Sequence, residues 1–86
     1  MLYRVAVVVH PREGVSDPEG ETLNGRLRRK GITGVKKVRS GRYWEIFIEA
    51  NSEEQAQASA QLIYTGPPML NPVKDNARLL SIEEVR

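Results

Sequence analysis

Residues 35–49 read Val35-Lys36-Lys37-Val38-Arg39-Ser40-Gly41-Arg42-Tyr43-Trp44-Glu45-Ile46-Phe47-Ile48-Glu49, and the fold turns on how they divide. Val35–Arg39 and Arg42–Glu49 read as two strands of a hairpin turning at Ser40-Gly41. In the second run Trp44, Ile46 and Ile48 share one face, while Tyr43, Glu45, Phe47 and Glu49 share the other. Lys36, Lys37 and Arg39 load the first run with charge, which suits a sheet edge.

Upstream, Tyr3–His10 is β-branched and apolar and is stopped by Pro11, so it reads as a strand. Asp17-Pro18 then announces a helix: Asp caps the first amide groups and Pro suits the first helical position. Leu23 and Leu27 share one face of it, and it runs to about Lys30, where Gly31 can supply a left-handed stop. Downstream, Ser52-x-x-Gln55 resembles a capping box. The helix it opens carries Ala56, Ala60 and Ile63 as a narrow apolar stripe and ends at Gly66-Pro67-Pro68. Met69–Asn76 is irregular, and Arg78–Glu84 alternates as a final strand. The order β-α-β-β-α-β predicts an α+β, ferredoxin-like fold with a four-stranded antiparallel sheet. Strands one and three would be central, with both helices on one face.

The chain has 86 residues and is read as a single domain, 1–86. A domain this small buries roughly 60–65% of its unfolded surface and commonly relies on disulfides, metals or oligomers. With no cysteine, disulfides and thiolate metal sites are excluded, which leaves oligomerisation. The sheet pattern points the same way. Val5, Val7 and Val9 would face the helices, while Ala6, Val8, Tyr43 and Phe47 would give the opposite face an apolar surface for another copy.

Thirteen basic and eleven acidic residues leave a net charge of +2, too balanced to announce a nucleic acid or a membrane. Val5–Val9 is the longest apolar run and is far short of a membrane span. Cytoplasmic residence is expected. His10 is the sole histidine and reads as structural or surface, because a metal site needs several ligands and a general base an orienting partner. Asp17 before Pro18 reads as a cap rather than an acid or base. The glycines match neither a dinucleotide fingerprint nor a phosphate loop. Gly20 and Gly25 inside the first helix each cost about 1 kcal/mol relative to Ala, which a close backbone approach would explain. The basic run Arg26-Leu27-Arg28-Arg29-Lys30 and the aromatic residues nearby suggest an RNA platform, but Trp44 aligns with Ile46 and Ile48 as core. A solvated charged face is the better reading, with no nucleic-acid partner.

Four stretches together resemble the PurS family, the small S subunit of phosphoribosylformylglycinamidine synthase. They are Arg12–Gly20 with its Gly-Val-x-Asp-Pro-x-Gly signature, Val35–Arg42, Glu45-Ile46, and Leu70-Asn71-Pro72-Val73. Glu19, Arg42 and Lys74-Asp75 depart from the family pattern in conservative or peripheral ways. The resemblance implies a non-catalytic subunit of a complex that converts formylglycinamide ribonucleotide to its amidine with ATP and glutamine nitrogen. It implies partners in a glutaminase subunit and a large synthase subunit, the latter holding ATP and magnesium, and none bound by this chain. It also implies a homo-oligomer, dimer or tetramer. The residues agree, since a glutaminase of this class needs a cysteine nucleophile. The expected partner surface is Arg39, Gly41, Arg42 and Leu70, Asn71, Pro72, Val73. A stand-alone, dimeric, small-molecule-binding regulatory module of the same fold is the alternative.

Overall fold

Val5 and Val7 have no exposed surface, and the sheet is built around the strand that carries them. A computed structural model describes residues 1–86. The elements are β1 (Leu2–Pro11), α1 (Pro18–Arg29), β2 (Arg42–Glu49), α2 (Glu53–Tyr64) and β3 (Asp75–Val85). The sheet is antiparallel in the order β2-β1-β3. Val7 lies opposite Trp44 and Leu79, and Val5 opposite Ile46 and Ile82, so the inner face is continuous across all three strands. Helix α2 covers this face through Ala56 and Ala60, whose small side chains let the helix sit close. Leu70 closes the core from the loop after α2.

Both helix starts follow the sequence. Asp17 caps α1 by accepting from the Gly20 N–H at 3.1 Å. Ser52 accepts from the Gln55 N–H at 3.1 Å, while Gln55 reaches back to the Asn51 N–H at 2.6 Å. Gly31 has φ +88°, the left-handed stop expected after α1.

The expected four-stranded sheet is corrected to three strands. Val35–Arg39 forms no strand, Ser40-Gly41 forms no hairpin turn, and β2 is an edge strand rather than a central one. The backbone from Thr33 to Arg39 makes no backbone–backbone hydrogen bond. That segment instead runs beside α1. Gly20 is buried under the Val38 carbonyl, and Glu13 pairs with Lys37 at 3.4 Å and Arg39 at 2.9 Å.

The expected cover of two helices is corrected as well. Helix α1 packs against no strand and not against α2, so α2 alone covers the sheet. Trp44, expected in the core, shares the inner face but is 41% exposed. The chain is accordingly drawn out to 50 Å, with a radius of gyration of 16.2 Å. A compact chain of this length would have about 12 Å.

Candidate functional site

One end of the sheet gathers the ends of several elements. β1 finishes at His10-Pro11, β2 starts at Arg42, β3 starts at Asp75, and the loop after α2 passes between them. Together they frame an open groove of about 790 Å³. Gly41, Arg42, Leu70, Asn71 and Pro72 all line it, so the two separated halves of the expected partner surface meet.

The groove is locally well determined. The Asn71 side chain accepts from the Val73 N–H at 2.9 Å, and the Asn71 carbonyl accepts from the Lys74 and Asp75 N–H groups at 3.1 and 2.8 Å. Such side-chain-to-backbone bonds are how Asn builds a turn. Arg12 clamps the loop to the end of β1: its Nε donates to the Pro72 carbonyl at 3.0 Å and its backbone N–H to Lys74 at 2.7 Å. Arg12 was not among the residues singled out as a contact. No sequence signal marks it, because its acceptors are backbone carbonyls about sixty residues away. Gly41 is required for its size, since a Cβ there would lie 2.6 Å from the Val9 carbonyl oxygen.

Three of the expected surface residues lie elsewhere or do something else. Leu70 is buried and belongs to the core, although its edge also lines the groove. Val73 is 79% exposed and off the groove. Arg39 also lies off the groove, donating to Glu13 and to the Pro11 carbonyl. Of the expected oligomer face, Ala6 is buried by its neighbours, Val8 is half-buried, and Tyr43 and Phe47 are exposed. That face is mixed rather than apolar. Arg4 pairs with Glu83 across it at 2.8 Å, and Tyr43 donates to Glu45 at 3.1 Å, which pushes the Tyr43 hydroxyl pKa up.

Asp17 stands beside the groove as an electrostatic hub. Besides the Gly20 N–H it accepts from the Ser40 N–H at 2.7 Å and from the Ser40 hydroxyl. The Ser40 hydroxyl, the Ser40 N–H and the Gly20 N–H hold its carboxyl below the usual range, with a smaller push from Arg39. Lys37, and then Arg39, do the same for Glu13. No three His, Cys, Asp or Glu side chains gather anywhere in a metal-holding group. His10 donors or acceptors, Arg42 and Lys74 stand against Glu19 and Asp75 in the groove. That set can hold a protein surface by hydrogen bonds and ion pairs, and it contains no nucleophile paired with a base. No helix is long and apolar enough to cross a membrane.

Comparison with known proteins supports the same direction. The family described as PurS, phosphoribosylformylglycinamidine (FGAM) synthase, matches residues 4–83. The Archaeoglobus fulgidus phosphoribosylformylglycinamidine synthase subunit PurS is 45% identical over 51 residues, covering 59% of this chain and 64% of that one. Thermus thermophilus PurS superposes with a TM-score of 0.88 over all of both chains at 27% identity. A chain of the Thermotoga maritima PurLQS structure superposes with a TM-score of 0.80 at 29% identity, over 99% of each. A likeness that spans the sheet, the groove and the unpacked α1 alike is a likeness of the whole chain, and this chain belongs to the PurS family of FGAM synthase.

Proposed function

We propose that this chain is the assembly subunit through which the glutaminase and large synthase subunits of FGAM synthase are coupled. PurS is a subunit of that synthase in purine biosynthesis, a ligase, and is itself small and non-catalytic. The observation that carries the reading is the match to a chain of the PurLQS structure over 99% of both lengths. In this reading ATP and magnesium reside on the large subunit, and the complex works in the cytoplasm. Two or more copies of this chain associate, using the sheet face that carries Ala6, Val8, Tyr43 and Phe47.

The groove fits the contact with the large subunit. Arg42 presents a planar fork of donors at its rim, which suits carboxylate or carbonyl acceptors on a partner. Asn71 and Pro72 lie on a loop already fixed by internal hydrogen bonds, so little ordering entropy is lost on binding. Arg39 and Val73 flank the groove at its margins.

Arg42→Glu combined with Asn71→Ala tests this. The double variant is expected to keep its fold and oligomeric mass while its affinity for the large subunit falls about tenfold or more. Full synthase activity with an intact complex overturns the groove assignment.

A further inference from the structure

Apart from the groove, the outer face of the sheet ends in another cavity, of about 380 Å³, whose lining carries charge of one sign. Arg39, Arg42, Arg78 and His10 meet there, and no carboxylate lines it. The register explains the meeting. Val8 lies opposite Tyr43 on one side and Arg78 on the other, so the three form a row across the face. The backbones of Tyr43 and Arg78 are then about 10 Å apart, two strand spacings. His10 follows Val8 by two residues on β1 and shares its face. Beside it stands Gly41, where a Cβ would come within 3.2 Å of the His10 Cβ, so no larger residue fits. The arginines differ in what they already hold. Arg39 donates to Glu13 and to the Pro11 carbonyl and lies 3.4 Å from His10 Nδ1. The ion pairs of the chain include neither Arg42 nor Arg78. Like charges gathered without a counter-charge repel, and an anion between them relieves that.

We propose that this cavity binds a phosphate ester, with the Arg42 and Arg78 guanidinium groups on the phosphate and the Tyr43 ring against the organic part. The charge decides for phosphate over carboxylate. Two unpaired arginines match a phosphate monoester of charge about −1.5 to −2, whereas one carboxylate would leave half of their charge unmet. Phosphate oxygens also accept from two planar forks at once. Tyr43 decides for an ester over the free ion. It is 59% exposed and its hydroxyl is already donated to Glu45, so it offers its ring. A flat group such as a nucleobase stacks on such a ring. The surrounding field draws anions in, since residues 22–44 hold eight basic residues and no acidic one. The assignment rests on neither the groove nor self-association. Arg78 lines this cavity and not the groove, and a single chain supplies every residue of the site.

Titration of the full-length, isotope-labelled chain with adenosine monophosphate, inorganic phosphate and acetate tests the site, followed by amide chemical shifts. Adenosine monophosphate is expected to move the Gly41, Tyr43 and Arg78 signals to saturation, with one ligand bound per chain. Inorganic phosphate should bind the same residues several-fold more weakly, and acetate about tenfold more weakly than phosphate. Arg78→Gln should weaken both phosphates about tenfold, and Tyr43→Ala should remove only the advantage of the nucleotide. Arg26→Gln deletes the same charge on α1 and should change neither affinity. Shifts that grow without saturating, or that spread equally over α1, overturn the site as mere charge screening. A loss with Arg26→Gln equal to that with Arg78→Gln does the same. Acetate binding as tightly as phosphate overturns the choice of phosphate, and equal affinity for the two phosphates overturns the ester. The shift map of the unsubstituted chain decides the case even where a variant fails to fold.

Discussion

Asp17 shows how much one carboxylate can organise. It was legible in the sequence as a helix cap, from its place before Pro18, and it is one. The sequence does not reveal that Ser40 donates to it twice, because nothing local links residues 23 positions apart. Asp17 therefore ties the start of α1 to the entry of β2. Asp17→Ala is expected to lower the melting temperature by about 4–8 °C at neutral pH. Because its folded pKa is depressed, the contribution is fully present above the ordinary carboxylate pKa of about 4 and is lost as pH falls through the folded value. The gap between wild type and variant in urea midpoint should be flat from pH 7 to about 4 and close below that. Glu13 shifts in the same direction and is present in both proteins, so the difference isolates Asp17. A gap unchanged down to about pH 2 would show that the ionised carboxylate is not the clamp.

At the level of elements, most of the chain was readable. The strand starting near Tyr3, the helix after Asp17, the strand Arg42–Glu49 and the helix after Ser52 fall within a residue or two of their expected limits. The last strand begins three residues earlier than expected, at Asp75, where Arg12 and Asn71 set the backbone for pairing. The misses share one cause. Alternation and β-propensity report that Val35–Arg39 suits an edge strand, but they carry no information on whose backbone lies alongside. The apolar stripe of α1 likewise says that it seeks cover, not where. The candidate site was half legible: Gly41, Arg42, Asn71 and Pro72 converge on the groove, whereas Leu70 is core and Arg39 holds its own loop. The two unexplained glycines of α1 now separate. At Gly20 a Cβ would overlap the Val38 carbonyl and the Asp17 carboxylate, so Gly20→Ala should destabilise despite its better helix propensity. At Gly25 only the flexible end of Arg29 lies near, at 3.8 Å. Gly25→Ala should therefore stabilise by about 0.5–1 kcal/mol, the entropic cost of glycine in a helix. Chemical denaturation of both variants checks this, and equal effects would mean that Val38 does not bear on α1.

For the whole molecule the decisive quantity is the size of the core. Only 10 of 86 residues are buried, and the largest fully buried side chains are two valines. Burial on that scale is small against roughly 1–2 kcal/mol of backbone entropy for every residue ordered. If the chain self-associates as proposed, folding and assembly should be one equilibrium rather than two. The charged segment after α1 contributes little by itself, because the Glu13 pairs with Lys37 and Arg39 are exposed and screened by salt. If the native species is a dimer, mass action adds about 1.4 kcal/mol per dimer for each tenfold rise in concentration. For two chains of this length that corresponds to a melting temperature higher by about 3–6 °C per decade. Scanning calorimetry over two decades of protein concentration measures the slope directly. A melting temperature independent of concentration would mean that ten buried residues suffice alone, and self-association would then have no part in holding this fold together.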